Sequence, residues 1–560
     1  MSTWDCSYDF VSVGSGGGGL VGALRATDAG NSALVIEKQA RVGGSTAMSG
    51  GMVWLPNNPL MRSDGIPDSY EQGMAYFEDV VGDAGPGSSR ERRDAYLTAG
   101  PKMISFLQNA GLRFTRCAGY PDYYDNHKGG SAEGRSIEGI PYDARKLGEW
   151  RDKLQPGLAA SIGFPAMTEE IPFLMHFNRS FGSFRVAVRI ALRALRAKLS
   201  GHPLLTNGSS LIGQILTVAV AREIPIWLET RVDELIIEGG VVRGVRVTQA
   251  GQTKRVEARK GVLLAAGGFA HNAEMRLKYG GDQETTGEWS MSNPGDTGEV
   301  LAQAIALGAR TDLLDEAWWL PSPSTYFGMS ALNSARQRAH TVYVDAAGKR
   351  FCNEANSYVE VGKAMFARDK DAAAVPCWLV FDDNYRRKYS HSQTAIGRLP
   401  AEWLSSGEIK KADTLAVLAQ QCEIDPSGLA TTIDEFNVHA AKGQDPEYGR
   451  GESQYNRHLG DPGHKPNPAI GPVDRPPFYA LKIFPSDVGT CGGLVTDEHA
   501  RVLGPDGAPL PGLYATGNIT ATVMGRKYLG AGGSIGNTLV FGFVAAEHAC
   551  APGRRLNQAV

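Results

Sequence analysis

The sequence predicts an α/β protein: a Rossmann-like dinucleotide-binding domain with a second, α+β domain inserted into it. Three observations predict this. A strand, a glycine-rich turn, a helix and a second strand open the chain. Glycine is in excess, 69 of 560 residues, and is concentrated in a few loops, where a bare backbone can approach a ligand. Between about Asp315 and Val488, strand-like and helix-like runs form a block of their own.

Phe10 to Val13 is the first strand-like run, and Gly14-Ser15-Gly16-Gly17-Gly18-Gly19 follows at once. Leu20 to Ala29 has helical composition, and Ala33 to Ile36 is a second strand ending at Glu37. This is G-x-G-x-x-G in its full context, with a helix N-terminus placed to take a pyrophosphate. Glu37, about eighteen residues after the last glycine, suits a ribose hydroxyl. Gly43 to Gly51 forms a second Gly/Ser loop. In the insert, Thr341 to Asp345 and Cys377 to Phe381 read as strands, and Thr414 to Cys422 and Gly428 to Ala441 as helices. Gly443 to Pro472 reads as an ordered loop anchored by Tyr455 and several prolines. Gly525 to Gly536, taken alone, reads equally well as a surface loop or a ligand loop.

Composition excludes several classes. Hydrophobic content of 42% and charged content of 21% suit a soluble globular protein. A net charge of -3 gives no reason to expect nucleic acid. The seven cysteines are scattered with no C-x-x-C pair, against zinc and thioredoxin-like chemistry and in keeping with a reducing compartment. Met1 to Tyr8 carries no signal-peptide core, and no run approaches the roughly 20 apolar residues of a membrane span. These features lead to the expectation of a cytoplasmic protein without a metal.

Phe184 to Leu199 is the exception to ordinary patterning. Arg185, Arg189, Arg193 and Arg196 recur on one helical stripe, the remainder is apolar apart from Lys198, and no acid occurs. Such a helix suits the interface of an anionic membrane. It equally suits a surface helix packed on the domain with a solvated arginine face.

The second Gly/Ser loop resembles the flavin loop of the succinate dehydrogenase/fumarate reductase flavoprotein superfamily. Val262 to Gly268 and Gly512 to Asn518 look like its two later flavin-contacting strands. The resemblance implies FAD, and a Rossmann-like FAD-binding domain (1–314 and 489–560, with a helical insertion at about 140–212) carrying an inserted α+β catalytic domain (315–488). It implies that Gly14 to Gly19, Glu37, Lys38, Gly44, Ser45, Thr46, Ser49, Gly50, Gly51, Val232, Ala266, Gly267, Gly268, Gly517, Asn518, Gly533, Ser534 and Ile535 contact the cofactor. No histidine lies between Met1 and Asn126, so attachment through a histidine of the early loop is not expected.

Four motifs narrow the family: Pro121-Asp122-Tyr123-Tyr124; Asn353-Glu354 with Tyr358; Asp487-Val488-Gly489-Thr490-Cys491-Gly492-Gly493-Leu494; and Gly525-Arg526-Lys527-Tyr528-Leu529-Gly530-Ala531-Gly532. Their order and spacing resemble the 3-ketosteroid Δ1-dehydrogenases. Fumarate reductases place an arginine where Tyr358 stands and a histidine before the G-G-L turn, and this chain has neither. Ser357 and Leu529 replace prolines common in the family. The resemblance implies that Tyr528 and the Gly532 N–H polarise a C3 carbonyl, that Tyr358 removes a C2 proton with help from Tyr123, and that FAD accepts the C1 hydride. A Tyr123 hydrogen bond is expected to lower the Tyr358 pKa. Met52, Trp54, Phe114, Phe269, Trp318, Trp319 and Pro485 are candidate pocket walls, with Trp54 and Trp318 foremost for the steroid. An external acceptor such as a quinone is implied. The alternatives are a Δ4-(5α)-ketosteroid dehydrogenase, a fumarate-type reductase, and a membrane-associated flavin electron carrier.

Overall fold

The computed structural model describes residues 4–158, 163–323, 335–389 and 396–553. Its largest sheet has eight strands. Cys6–Val13 lies at the centre, parallel to Ala33–Ile36 on one side and to Gln252–Leu264 on the other. Pro509–Ala515 adds in parallel beside Gln252–Leu264, so the chain returns to this sheet near its end. Phe10, Val11, Leu34, Val35, Val262 and Leu513 have no exposed surface, as expected for parallel strands covered on both faces.

Glycine sets how closely the covering helices meet. The first helix, Gly17–Asp28, packs on the last, Gly533–Ala549. A Cβ on Gly18 would sit 2.8 Å from the Thr538 carbonyl oxygen, and one on Gly542 would sit 2.3 Å from that of Gly18. No side chain fits there. This contact draws the C-terminal helix, and the loop before it, to the first β-α turn.

A separate antiparallel sheet runs in the order Thr341–Val344, Cys377–Phe381, Phe478–Ile483, Ile409–Ala412. Leu415–Cys422 and Pro426–Ala440 form helices, as expected, and pack with it in one core. Ala317–Trp319 and Asp487–Thr490, which lead out to this sheet and back from it, pair antiparallel with each other. Tyr455 in the long polar segment is 1% exposed, so the segment is anchored as expected.

The arginine-striped segment is a helix, Phe181–Ser200. Arg189 and Arg193 both pair with the buried Glu170, at 3.1 and 2.7 Å. Arg185, Arg189 and Arg196 are exposed, as in the expected solvated arginine face, while Arg193 is turned inward. Only Ser183 and Ile190 are buried, whereas Phe181, Phe184, Leu192, Leu195 and Leu199 are 47–79% exposed. Glu170 holds Arg193 inward and pairs with the exposed Arg189, and the apolar side chains stay outward. No helix among the described residues is long and apolar enough to cross a membrane.

Candidate active site

The strand Cys6–Val13 ends in a tight turn because Gly14 takes φ +107°, where its Cβ position is filled by the Ala265 carbonyl oxygen at 2.2 Å. Ser15 follows. Its N–H and Oγ both donate to Glu37 Oε2, at 3.0 and 2.6 Å, and Gln39 N–H donates to Oε1 at 2.9 Å. A carboxylate offers about four acceptor positions, so Glu37 keeps capacity for a hydroxyl. Thr46 Oγ1 accepts from Gly17 N–H and ties the second Gly/Ser loop to the first. Between these loops, a Cβ on Gly16 would have nothing nearer than 3.8 Å, and one on Gly44 nothing nearer than 3.9 Å. Both glycines face open space that a side chain would occupy, which is the shape of a cradle for a dinucleotide.

That space is a cavity of about 380 Å³. Gly14, Ser15, Gly16, Gly18, Glu37, Lys38, Gly44, Ser45, Thr46, Ser49, Gly50, Gly51, Val232, Ala266, Gly267, Gly517, Asn518, Ser534 and Ile535 line it, together with Tyr123, Tyr358, Tyr528 and Gly532. Four expected cofactor contacts do not. Gly17 packs under Leu539, Gly19 against the Gly14 carbonyl and Gly268 against Thr490, while Gly533 lies behind the Gly532 turn beside Met524. Gly17, Gly19 and Gly268 allow close packing behind the cradle. Lys38 lines the cavity but its Nζ is held by Glu299 at 2.8 Å.

The three tyrosines converge. Ring centroids are 5.4 Å apart for Tyr123 and Tyr358, 5.2 Å for Tyr358 and Tyr528, and 5.5 Å for Tyr123 and Tyr528. Tyr528 and Tyr123 are the nearest ring neighbours acting on the Tyr358 hydroxyl. Burial raises Tyr358 well above the ordinary 10.0; the charge of Tyr528 and its hydrogen bond add to the rise, and the bond from Tyr123 opposes it. The Tyr123 effect has the expected sign, but loss of water outweighs one neutral donor, so the net shift is upward. Burial also raises Tyr528, opposed by its bond from Tyr358 and by the backbone N–H groups of Ser534, Gly532 and Gly533. Those groups start the last helix, where the peptide dipoles favour negative charge.

Trp54 and Trp318, expected against the substrate, do not line the cavity. Trp54 is fully buried behind the Gly525 to Gly536 loop. Its backbone N–H donates to the Gly532 carbonyl at 3.2 Å, its indole N–H donates to Asp122 at 2.7 Å, and its ring fills the Cβ position of Gly530. Trp318 sets its ring edge-on to Tyr528 at 5.0 Å and donates to Asn518. Phe114, Phe269, Trp319 and Pro485 are likewise away from the cavity wall, whereas Met52 is on it. Leu158, Ile171, Met291, Leu320 and Val488 complete the apolar wall. No periodicity marked them, because they come from five unconnected stretches. Asp296 was also missed. Burial pushes its carboxyl up to about 7, a donated bond from Ser45 at 2.9 Å opposes the rise, and its Oδ1 fills the Cβ position of Gly267. Tyr455 packs on Tyr123 with centroids 4.2 Å apart. Cys117, Glu138 and Glu169 cluster elsewhere, but Glu138 is already the acceptor for the N–H groups of Thr168 and Glu169.

Comparison with known proteins gives the family. Residues 9–535 match the FAD binding domain family model. The chain is 40% identical to the 3-oxosteroid 1-dehydrogenase of Mycobacterium tuberculosis, over 97% of this chain and 98% of that one. It is 39% identical to the enzyme of the same name from Mycolicibacterium smegmatis, over 96% of each. A crystal structure of 3-ketosteroid delta1-dehydrogenase from Sterolibacterium denitrificans, in complex with 1,4-androstadiene-3,17-dione, superposes with a TM-score of 0.90 at 35% identity, covering 97% of this chain and 99% of that one. The cofactor of the cradle is FAD, and the chain belongs to the 3-oxosteroid 1-dehydrogenase family of FAD-binding flavoproteins.

Proposed function

We propose that this enzyme introduces the 1,2 double bond into a 3-oxo-4-ene steroid, with Tyr358 as base, Tyr123 as its hydrogen-bond partner, and Tyr528 with the Gly532 N–H as the oxyanion hole. The observation that carries this reading is the meeting of three tyrosines from distant segments in the cavity that also contains the FAD cradle. The chemistry accounts for the division of labour. A C2 proton becomes acidic only as charge moves to the C3 oxygen, so donors fixed at that oxygen lower the barrier. Tyr358 takes the proton as its phenolate, the minority form at neutral pH. When bound, FAD supplies the oxidant that takes the C1 hydrogen as hydride. The apolar wall from Met52, Leu158, Ile171, Met291 and Leu320 excludes water and suits a steroid body.

The test is anaerobic addition of 4-androstene-3,17-dione to the FAD-loaded enzyme. Bleaching of the flavin absorbance is expected. An unchanged spectrum, with bleaching by the 5α-saturated analogue instead, would overturn the reading in favour of Δ4 chemistry.

The residue range 315–488 acts, in this reading, as a catalytic domain inserted into an FAD domain of 1–314 and 489–560; the pairing of Ala317–Trp319 with Asp487–Thr490 supports that boundary. FAD is held without a covalent bond to histidine, and no histidine is among the described residues lining the cavity. The helix Phe181–Ser200 rests on an anionic membrane. Its exposed phenylalanines and leucines, with exposed Arg185 and Arg196 beside them, support this. The enzyme then works at the cytoplasmic face, passing electrons to an external acceptor of quinone type. Co-sedimentation with anionic vesicles, lost in a Phe184→Glu/Leu192→Glu variant, checks the membrane contact.

A further inference from the structure

Resting on the assignment of Tyr358 as base, we infer that Glu360 is the positioning residue that holds the three tyrosines in register. Tyr358 opens the helix Tyr358–Asp369, and Glu360 lies in its first turn. Glu360 Oε1 accepts the Tyr124 hydroxyl at 2.9 Å and Lys527 Nζ at 3.0 Å. Tyr124 follows Tyr123, and Lys527 precedes Tyr528. One carboxylate oxygen therefore joins the immediate neighbours of two active-site tyrosines to the helix that begins with the third.

The two sides of this junction are braced differently. Tyr123 and Tyr528 are tied together without Glu360: the Tyr123 N–H and the Tyr76 hydroxyl both donate to the Leu529 carbonyl, at 3.0 and 2.9 Å, and Tyr76 accepts from the Tyr124 N–H at 3.1 Å. Tyr358 arrives from another part of the chain and needs a tie across the seam. Glu360 supplies it, and Lys363 one turn later adds a bond to the Arg526 carbonyl at 2.6 Å. Proton transfer is sensitive to such placement, since a displacement of about 1 Å can cost on the order of 100-fold in rate. The Lys527–Glu360 pair is partly solvated, with side-chain exposures of 34% and 25%. Pairs of that kind contribute little to fold stability. Geometry and stability are therefore separable at this residue.

The experiment compares Glu360→Ala and Glu360→Gln in the FAD-loaded enzyme, with 4-androstene-3,17-dione and its C2-deuterated form. Glu360→Ala is expected to lower kcat roughly 10- to 100-fold, with KM changed far less, a larger isotope effect on C2 proton transfer, and flavin content and Tm near wild type. Glu360→Gln keeps an acceptor oxygen and is expected to recover most of the lost kcat. Tyr124→Phe added to Glu360→Ala should cost less than it does alone, because both remove one linkage. The inference is overturned if Glu360→Ala keeps kcat within about twofold of wild type, smaller than any positioning effect of this size, or if lost activity tracks lost flavin or unfolded protein. Tyr358→Phe, run in parallel, separates the two readings. Full turnover in that variant sinks the base assignment, whereas an inactive Tyr358→Phe beside an active Glu360→Ala sinks only the role of Glu360.

Discussion

The FAD cradle and the tyrosine cluster share one cavity, yet they are assembled at different scales. The cradle's core is Gly14 to Glu37, where one strand, one turn and one helix place Ser15 against the Glu37 carboxylate. Tyr123, Tyr358 and Tyr528 come from three segments far apart in the chain that meet in one hydrophobic core. A cradle can be local because it must offer only backbone N–H groups and space. A base and an oxyanion donor must reach neighbouring substrate atoms, so side chains from distant segments have to converge on one point. The comparison teaches that binding of FAD and turnover of substrate are separately breakable in this protein.

Tyr358→Phe is the strongest test. Loss of a general base typically costs 10²- to 10⁴-fold, so a fall in kcat of roughly 10³ is expected, with FAD still bound. Flavin absorbance of the purified variant and stopped-flow reduction by steroid measure both. Tyr528→Phe comes next. Removing one oxyanion donor should lower kcat about 10²- to 10³-fold, again with the flavin retained. Equal loss of FAD in either variant would break the separation.

The pH profile is the third test. Burial raises Tyr358 above 10.0, so the phenolate fraction grows up to about tenfold per pH unit throughout the neutral and alkaline range. The flavin reduction rate is expected to climb without a plateau up to pH 10, and a flat profile would remove Tyr358 from the role. Stability runs the other way. Tyr123 and Tyr358 have folded pKa values above the unfolded value, so their contribution is complete below pH 10 and declines as the unfolded chain begins to ionise above it. Thermal melts at pH 9 and pH 11 check this. The smallest effect is on the cradle. Glu37→Gln exchanges charge-assisted bonds from Ser15 for neutral ones and should weaken FAD binding by roughly tenfold, read by flavin fluorescence titration, while the slope of the pH profile stays.

Much of the cradle was legible because its signal is local. Ala33–Ile36 and Cys377–Phe381 appear with their expected limits, and Glu37 stands where the spacing put it. Trp54 shows where such reading fails. Its position near the motifs suggested a pocket wall, but Gly530 has no side chain and the indole fills that space from behind. Asp296, Glu360 and Tyr455 are single polar residues without a pattern around them, and their importance comes from what they touch. The arginine stripe was visible at helical period, but its orientation depended on Glu170, which lies outside the helix.

The sequence by itself determined the order of the elements and the nucleotide fold, because backbone propensity, apolar periodicity and glycine requirements act over short stretches. Tertiary structure alone decided which glycines face the cofactor and which face a neighbouring helix. It also decided which aromatic side chains line the cavity, and that burial dominates at Tyr358. Those outcomes depend on desolvation and close approach, which arise only when distant segments pack against one another.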